Sequence, residues 1–69
     1  MTRKEYDQLA EFRGFCRNAS DKQIAVIYES EKKRAQELRT DFYRACARIA
    51  KDELNKRYLL LYQKNHEHQ

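Results

Sequence analysis

The first part of the chain has the apolar spacing of a helix that begins with a capping box. Thr2 and Glu5 stand three positions apart, so that each side chain can satisfy a free backbone N–H of the other. Apolar residues then recur every three or four positions, at Tyr6, Leu9, Phe12 and Cys16. This pattern predicts a first helix, helix A, over residues 3–17, with this apolar stripe facing the core.

A second helix start follows a short polar break. Ser20 and Gln23 again have the spacing of a capping box, and Asp21 adds negative charge where a helix dipole favours it. The connection of about four residues predicts that the two helices pack side by side as an antiparallel hairpin.

No glycine or proline interrupts the chain after Asp21, so the pattern predicts one helix, helix B, of about 40 residues. Glu31 falls on its apolar stripe and marks either an edge or a polar interruption. Two alternatives stay open beyond Ala50. Either the helix continues to about Asn65, or it bends near residues 51–55 and a short helix folds back.

The length of helix B predicts a homodimer. A helix of about 40 residues is about 60 Å long, and helix A could cover less than half of it. The rest of the apolar stripe would stay in water unless a second copy or a partner covered it. We therefore expect an all-α fold of helical hairpins that dimerise into a bundle. The predicted core and dimer residues are Leu9, Ile24, Tyr28, Leu38, Phe42, Cys46 and Ile49.

Composition supports this fold class. The 69 residues include one glycine, no proline and 38% charged residues, which disfavours a β-fold rich in tight turns. We predict a single helical domain over residues 1–69, with residues 66–69 as a frayed tail. A domain this short buries only about 60% of its unfolded surface, which again favours association.

Candidate chemistry is sparse. The cysteines, Cys16 and Cys46, lack the density of a secreted disulfide scaffold, and we expect two packed thiols in a cytoplasmic protein. His66 and His68 lie in the last four residues, without an apparent third metal ligand. No apolar run is long enough to span a bilayer. We predict neither an enzyme nor a cofactor, metal or membrane protein.

Basic residues are concentrated on the predicted helix B. The net charge is +4, from 15 basic and 11 acidic residues. Arg44, Arg48 and Lys51 share one helical face, near Lys32-Lys33-Arg34 and Arg39, although Glu37 and Asp41 are predicted to neutralise that face in part. Two interpretations stay open, a solvated mixed-charge surface and a ridge that contacts phosphates.

The aromatic residues indicate a protein interface more than a base-stacking platform. By helical phase, Tyr28 and Phe42 belong to the core, whereas Tyr43, Tyr58 and Tyr62 are predicted to be exposed. Tyrosine is favoured at protein interfaces because it combines apolar area with a polar tip.

A run of residues in the middle of the chain carries a first family resemblance. It comprises Ser20, Asp21, Ala25, Val26, Tyr28, Arg34, Glu37 and Leu38. This segment resembles the central helix of the Hha/YmoA family, small helical modulators that associate with the nucleoid protein H-NS. The resemblance implies a partner-facing surface with Asp21, Arg34 and Glu37. The segment between Tyr6 and Ser20 leaves little room for the additional helix of that family.

Two other segments carry a second resemblance. They are Met1-Thr2-Arg3 with Glu5, Leu9 and Arg13, and the run Tyr43-Arg44-Ala45-Cys46-Ala47-Arg48. Both are similar to segments of the Rop family, which are dimers of helical hairpins. The resemblance implies the hairpin-dimer architecture. It does not extend to the RNA-contacting face, because Ala10 and Gly14 stand where that family has asparagine and phenylalanine.

These observations give two hypotheses of function. The first is a small regulator, of a phage or plasmid type, that binds a host or self-encoded protein. Its predicted partner-binding residues are Arg34, Tyr43, Arg44, Arg48 and Tyr58. The alternative is a hairpin dimer that binds the backbone of DNA or RNA through Arg44, Arg48 and Lys51. An inhibitor that plugs an enzyme is a variant of the first hypothesis.

Overall fold

The described part of the chain is entirely helical. The computed structural model describes the backbone of residues 1–67 and the side chains of residues 1–58. Within that part the elements are α1 (Arg3–Asn18), α2 (Asp21–Leu38) and α3 (Asp41–Glu67), without a strand. The predicted all-α class is confirmed, and helix A is confirmed as α1.

Both predicted capping boxes form. Thr2 Oγ1 accepts from the Glu5 N–H at 3.2 Å, and Glu5 Oε1 accepts from the Thr2 N–H at 2.9 Å. The backbone hydrogen bond from Thr2 lowers the pKa of Glu5. Ser20 and Gln23 exchange the equivalent bonds at 3.2 and 3.0 Å. These local contacts fix the starts of α1 and α2 at the predicted residues.

The predicted uninterrupted helix B is wrong, because the chain turns after Leu38. Arg39 has a φ of 51° and a ψ of 37°, in the left-handed region, and its N–H donates to Ala35 O at 3.0 Å. Thr40 then caps α3, since its Oγ1 accepts from the Tyr43 N–H at 3.3 Å. The fold therefore has three helices instead of a two-helix hairpin.

Helix α3 is the element on which the other two pack. The connection at residues 39–40 is short, so α2 folds back antiparallel on α3, and α1 packs mainly on α3 rather than on α2. Residues 51–65 continue α3 as one helix, so the alternative in which they fold back is wrong. The predicted frayed tail lies outside the part of the chain with described side chains.

The core lies where the three helices meet. Its buried residues are Leu9, Cys16, Ile24, Cys46 and Ala50. Of the other predicted core residues, Tyr28, Phe42 and Ile49 are half-buried. Leu38 is 54% exposed and Tyr6 58% exposed, against expectation. Leu38 ends α2, where the chain turns away from the core, and Tyr6 precedes the residues through which α1 contacts α3.

The turn at residues 39–40 removes the geometric reason for a dimer. The predicted exposure of the apolar stripe depends on α2 and α3 forming one continuous helix of about 40 residues. In the folded chain α2 covers much of the α3 stripe instead. The homodimer stays a prediction, supported now by the small size of the core.

Candidate nucleic-acid interface

A groove between α2 and α3 collects positive charge from both helices. Its volume is about 540 Å³, and its charged lining residues are Lys32, Arg39, Arg44, Arg48 and Lys51. Tyr28, Ala35, Gln36 and Ala47 complete the lining, which includes no carboxylate. We refer to these nine residues as the basic groove. It contains all three residues of the predicted nucleic-acid set, Arg44, Arg48 and Lys51.

The charges of the basic groove are largely free to bind an external anion. Among residues 1–58, the only one of its cations in an ion pair is Arg44, whose Nη1 lies 3.8 Å from Asp41 Oδ1. Both side chains of this pair are more than half exposed, so the pair adds little stability. Neither Glu37 nor Asp41 lines the groove, and of the two only Asp41 contacts one of its cations among the described residues.

Lys32 and Arg39 were not part of the predicted nucleic-acid set. In one continuous helix, Lys32 would lie about 24 Å along the axis from Arg48, with no common surface. The turn after Leu38 brings both into the same groove. The sequence did contain the sign of this turn, a threonine followed by an acidic residue at positions 40 and 41.

Arg39 combines a groove-lining side chain with an unfavourable backbone conformation. It is the sole non-glycine residue with a positive φ in the described chain. Glycine or asparagine usually ends a helix in this conformation, because a Cβ there costs about 1–2 kcal/mol. Because backbone preference does not favour an arginine at this position, we treat its guanidinium as a candidate binding group.

The predicted partner-binding residues do not form one surface. Arg44 and Arg48 line the basic groove. Arg34 instead contacts Glu31 at 3.5 Å and lies 5.9 Å from the centre of the Tyr43 ring. Tyr58, which is 66% exposed, lies beside Asp21 and Leu54 near the start of α2, at the other end of that helix from Arg34. Tyr62 lies outside the described side chains.

Arg57 holds the α1–α2 connection against α3. Its Nη2 lies 3.2, 3.3 and 2.7 Å from the carbonyl oxygens of Cys16, Arg17 and Ala19. Cys16 and Arg17 lie in the last turn of α1 and Ala19 follows that helix, so the three carbonyls stand where a helix carries negative partial charge. Arg57 Nη1 also donates to Asp21 Oδ1 at 2.9 Å. We refer to these contacts, with that to Glu53, as the Arg57 cluster.

Glu53 and Arg57 lie four positions apart on α3, the spacing of a favourable acid-before-base pair on a helix surface. The two side chains do interact, at 3.1 Å, but they are only 18% and 19% exposed. The spacing of residues along the sequence identifies Glu53 as a partner of Arg57 on the same helix. It does not indicate that Arg57 also contacts the carbonyls at the end of α1. Asp21, which the Hha/YmoA resemblance implies to face a partner, contacts Arg57 and keeps 82% of its side chain exposed.

The two cysteines are buried free thiols. Burial is the largest cause that raises the pKa of Cys16, and it raises that of Cys46 to about 11. Both thiols are therefore protonated at neutral pH and poor nucleophiles. Glu31, which has a 12% exposed side chain, also raises both pKa values, so it is a polar interruption of the apolar stripe.

The described residues include neither a metal-binding cluster nor a membrane-spanning helix. They contain no group of three His, Cys, Asp or Glu side chains that could hold a metal ion. His66 and His68 lie outside the described side chains. The described helices include none with the length and hydropathy needed to cross a bilayer.

No protein-family model, curated protein sequence or solved structure matches the chain. The resemblances to the Hha/YmoA and Rop families therefore stay predictions. Functional inference depends on the geometry of the chain itself, and the basic groove is its most distinctive feature.

Proposed function

We propose that this chain binds the phosphate backbone of nucleic acid through the basic groove. The observation that carries the proposal is the collection of five cations from two helices in one groove without a lining carboxylate. A polyanion with one negative charge per nucleotide offers a partner to each of these cations, and such contacts dominate nucleic-acid affinity.

The composition of the groove suits phosphate in particular. Arg39, Arg44 and Arg48 can each present a planar fork of donors that matches the geometry of a phosphate group. Lys32 and Lys51 add compact charges at two further positions. The unfavourable backbone of Arg39 supports a binding role for its side chain, because stability alone would favour glycine there.

We expect binding through this groove to depend mainly on phosphate contacts, which carry no sequence information directly. Apart from Tyr28 and Gln36, its polar groups are cations, which suit phosphates better than a selective pattern of base edges. We therefore propose a backbone-directed binder with little sequence preference. A regulatory role would follow from the protein covering a stretch of nucleic acid, and it would not require recognition of a specific DNA sequence.

A matched pair of charge reversals tests the site. Lys32 lines the basic groove, whereas its neighbour Lys33 does not, and both are exposed on α2. Lys32→Glu and Lys33→Glu change the net charge equally. Fluorescence anisotropy with labelled DNA and RNA oligonucleotides measures affinity between about 50 and 200 mM salt.

We expect wild-type affinity to fall steeply with salt. If each groove cation contacts one phosphate, log affinity against log salt has a slope of about −3.5 for single strands and −4.5 for duplex. Lys32→Glu should lose about tenfold in affinity and Lys33→Glu about twofold. Equal losses in both variants would show that only net charge matters. Absence of binding at low salt, or equal competition by an acidic polypeptide, would refute the proposal.

A second candidate function is binding of a host or self-encoded protein by a phage- or plasmid-type regulator. It is favoured by a different observation, a set of exposed apolar side chains away from the groove. Phe15 is 61% exposed and Val26 62% exposed, and they line a depression of about 410 Å³. Interfaces are enriched in such aromatic residues. It ranks second because its predicted residues lie on separate surfaces.

A pull-down from lysate separates the two candidates. Recovery of one protein that survives nuclease and higher salt, and that is lost in Phe15→Ala but kept in Lys32→Glu, would support the second candidate. Sedimentation equilibrium of the purified chain tests the predicted homodimer independently, and a strict monomer would contradict it.

A further inference from the structure

We infer that the basic groove takes a single strand of nucleic acid and stacks one base on Tyr28. The inference rests on the proposed function and specifies its ligand. It is carried by two observations, the small residues within the groove and the position of the Tyr28 ring, together with the usual spacing of packed helices.

The width of the groove favours one strand over two. Its walls are neighbouring helices, and packed helices have axes about 8–10 Å apart. A B-DNA duplex is thicker than this spacing, because its major and minor grooves alone are about 8.5 and 7.5 Å deep, so it can touch only the rims of this site. A single strand carries one line of phosphates, which can lie between Lys32 on α2 and Arg39 in the turn on one side and Arg44, Arg48 and Lys51 on α3 on the other.

Small residues leave room for a strand to enter. Ala35 on α2 and Ala47 on α3 are half-buried and line the groove between its two rows of cations. A methyl side chain at each position keeps the centre of the groove open. Long side chains there would separate a phosphate backbone from the cations on both walls.

Tyr28 supplies an aromatic surface within the groove. It packs in part against the core, which fixes the ring, and it also lines the groove. The Nζ atom of Lys32 lies over the ring at 5.9 Å from its centre and covers that face in the free chain. A stacked base would take its place, and the flexible lysine could then contact a phosphate. Unpaired bases stack on such faces without sequence preference, whereas the bases of a duplex are stacked on one another.

The experiment compares one strand with its own duplex. A labelled mixed-sequence DNA strand of about 16 nucleotides and the duplex with its complement are titrated by anisotropy at moderate salt. We expect the single strand to bind at least about tenfold more tightly. Equal or tighter binding of the duplex would overturn the inference and leave the proposed function standing. No binding of either would overturn both.

Two substitutions at Tyr28 test the stacking itself. Tyr28→Phe keeps the aromatic face, whereas Tyr28→Leu keeps apolar bulk and removes it. We expect Tyr28→Phe to bind the strand like wild type and Tyr28→Leu to lose about tenfold, with an unchanged salt slope because no phosphate contact is lost. Thermal melting checks that both variants are folded.

An abasic strand with the same phosphates completes the test. If Tyr28 stacks a base, wild type and Tyr28→Leu should bind the abasic strand equally, because neither has a base to stack. A loss for Tyr28→Leu on the abasic strand as large as on the normal strand would show that the substitution damages the groove, and it would overturn the stacking role.

Discussion

The molecule uses positive charge in two different ways at two sites on α3. In the Arg57 cluster, one guanidinium that is 19% exposed contacts two carboxylates and three carbonyl oxygens. In the basic groove, the five cations have one anionic partner among the described residues, Asp41, and Lys32 also lies over the Tyr28 ring. The first arrangement satisfies its charge within the fold, and the second leaves charge available for a ligand.

The difference shows that burial and available acceptors decide the role of a basic residue more than its position on a helical stripe. Arg48 and Arg57 both lie on α3, nine positions apart in the sequence. Arg57 meets the carbonyls at the end of α1, which need donors. Arg48 faces a groove without a carboxylate. Substitutions at the two sites should therefore affect different properties of the protein.

The largest effect on stability is expected for Arg57→Ala. It removes donors from three carbonyls and leaves Glu53 partly buried without its partner, which should cost about 3 kcal/mol. Chemical denaturation measures the free energy of unfolding. The control, Arg48→Ala, should change it by less than about 0.5 kcal/mol. Similar free energies for the two variants would remove the distinction between the sites.

Arg57→Lys is expected to have an intermediate effect, a loss of about 1–2 kcal/mol. Lysine keeps the charge near the end of α1 but lacks the planar fork that reaches Asp21 and the carbonyls together. Thermal melting of wild type, Arg57→Lys and Arg57→Ala gives the order of stability. If the lysine variant melts like wild type, charge alone holds the connection and the geometry of the guanidinium is irrelevant.

Arg39→Gly should stabilise the fold and weaken binding at the same time. Glycine relieves the left-handed backbone, which should raise the free energy of unfolding by about 1 kcal/mol. Loss of one phosphate contact should also reduce the salt slope of binding by about 1. Arg39→Ala is the matched control, because it loses the same contact without the backbone relief. Undiminished oligonucleotide affinity in both would place Arg39 outside the binding surface.

The smallest effect is expected for Asp21→Asn. Its carboxylate accepts from Arg57 at 2.9 Å but is 82% exposed, and exposed ion pairs contribute about 0–1 kcal/mol. The expected loss is therefore below about 1 kcal/mol, measured by the same denaturation. A loss as large as that of Arg57→Ala would mean that Asp21, rather than the carbonyls of α1, is the main partner of Arg57.

The sequence by itself determined those features of the fold that depend on residues close together in the chain. The helical class, the starts of α1 and α2 and both capping boxes follow from contacts three or four residues apart. The stripe that contains Leu9, Ile24 and Cys46 was also readable, because burial of one helical face imposes its period on the sequence. The turn after Leu38 was missed, because it requires a left-handed residue and is formed here by an arginine.

Only the tertiary structure decided which distant residues meet. The fold of α2 onto α3 placed Lys32 and Arg39 beside Arg48, and the packing of α1 on α3 placed its terminal carbonyls on Arg57. No local sequence pattern predicts either of these contacts, because each depends on the direction that the chain takes after a turn between helices. The physical reason is that helical period fixes which face a residue occupies, whereas the connections between helices fix what that face meets.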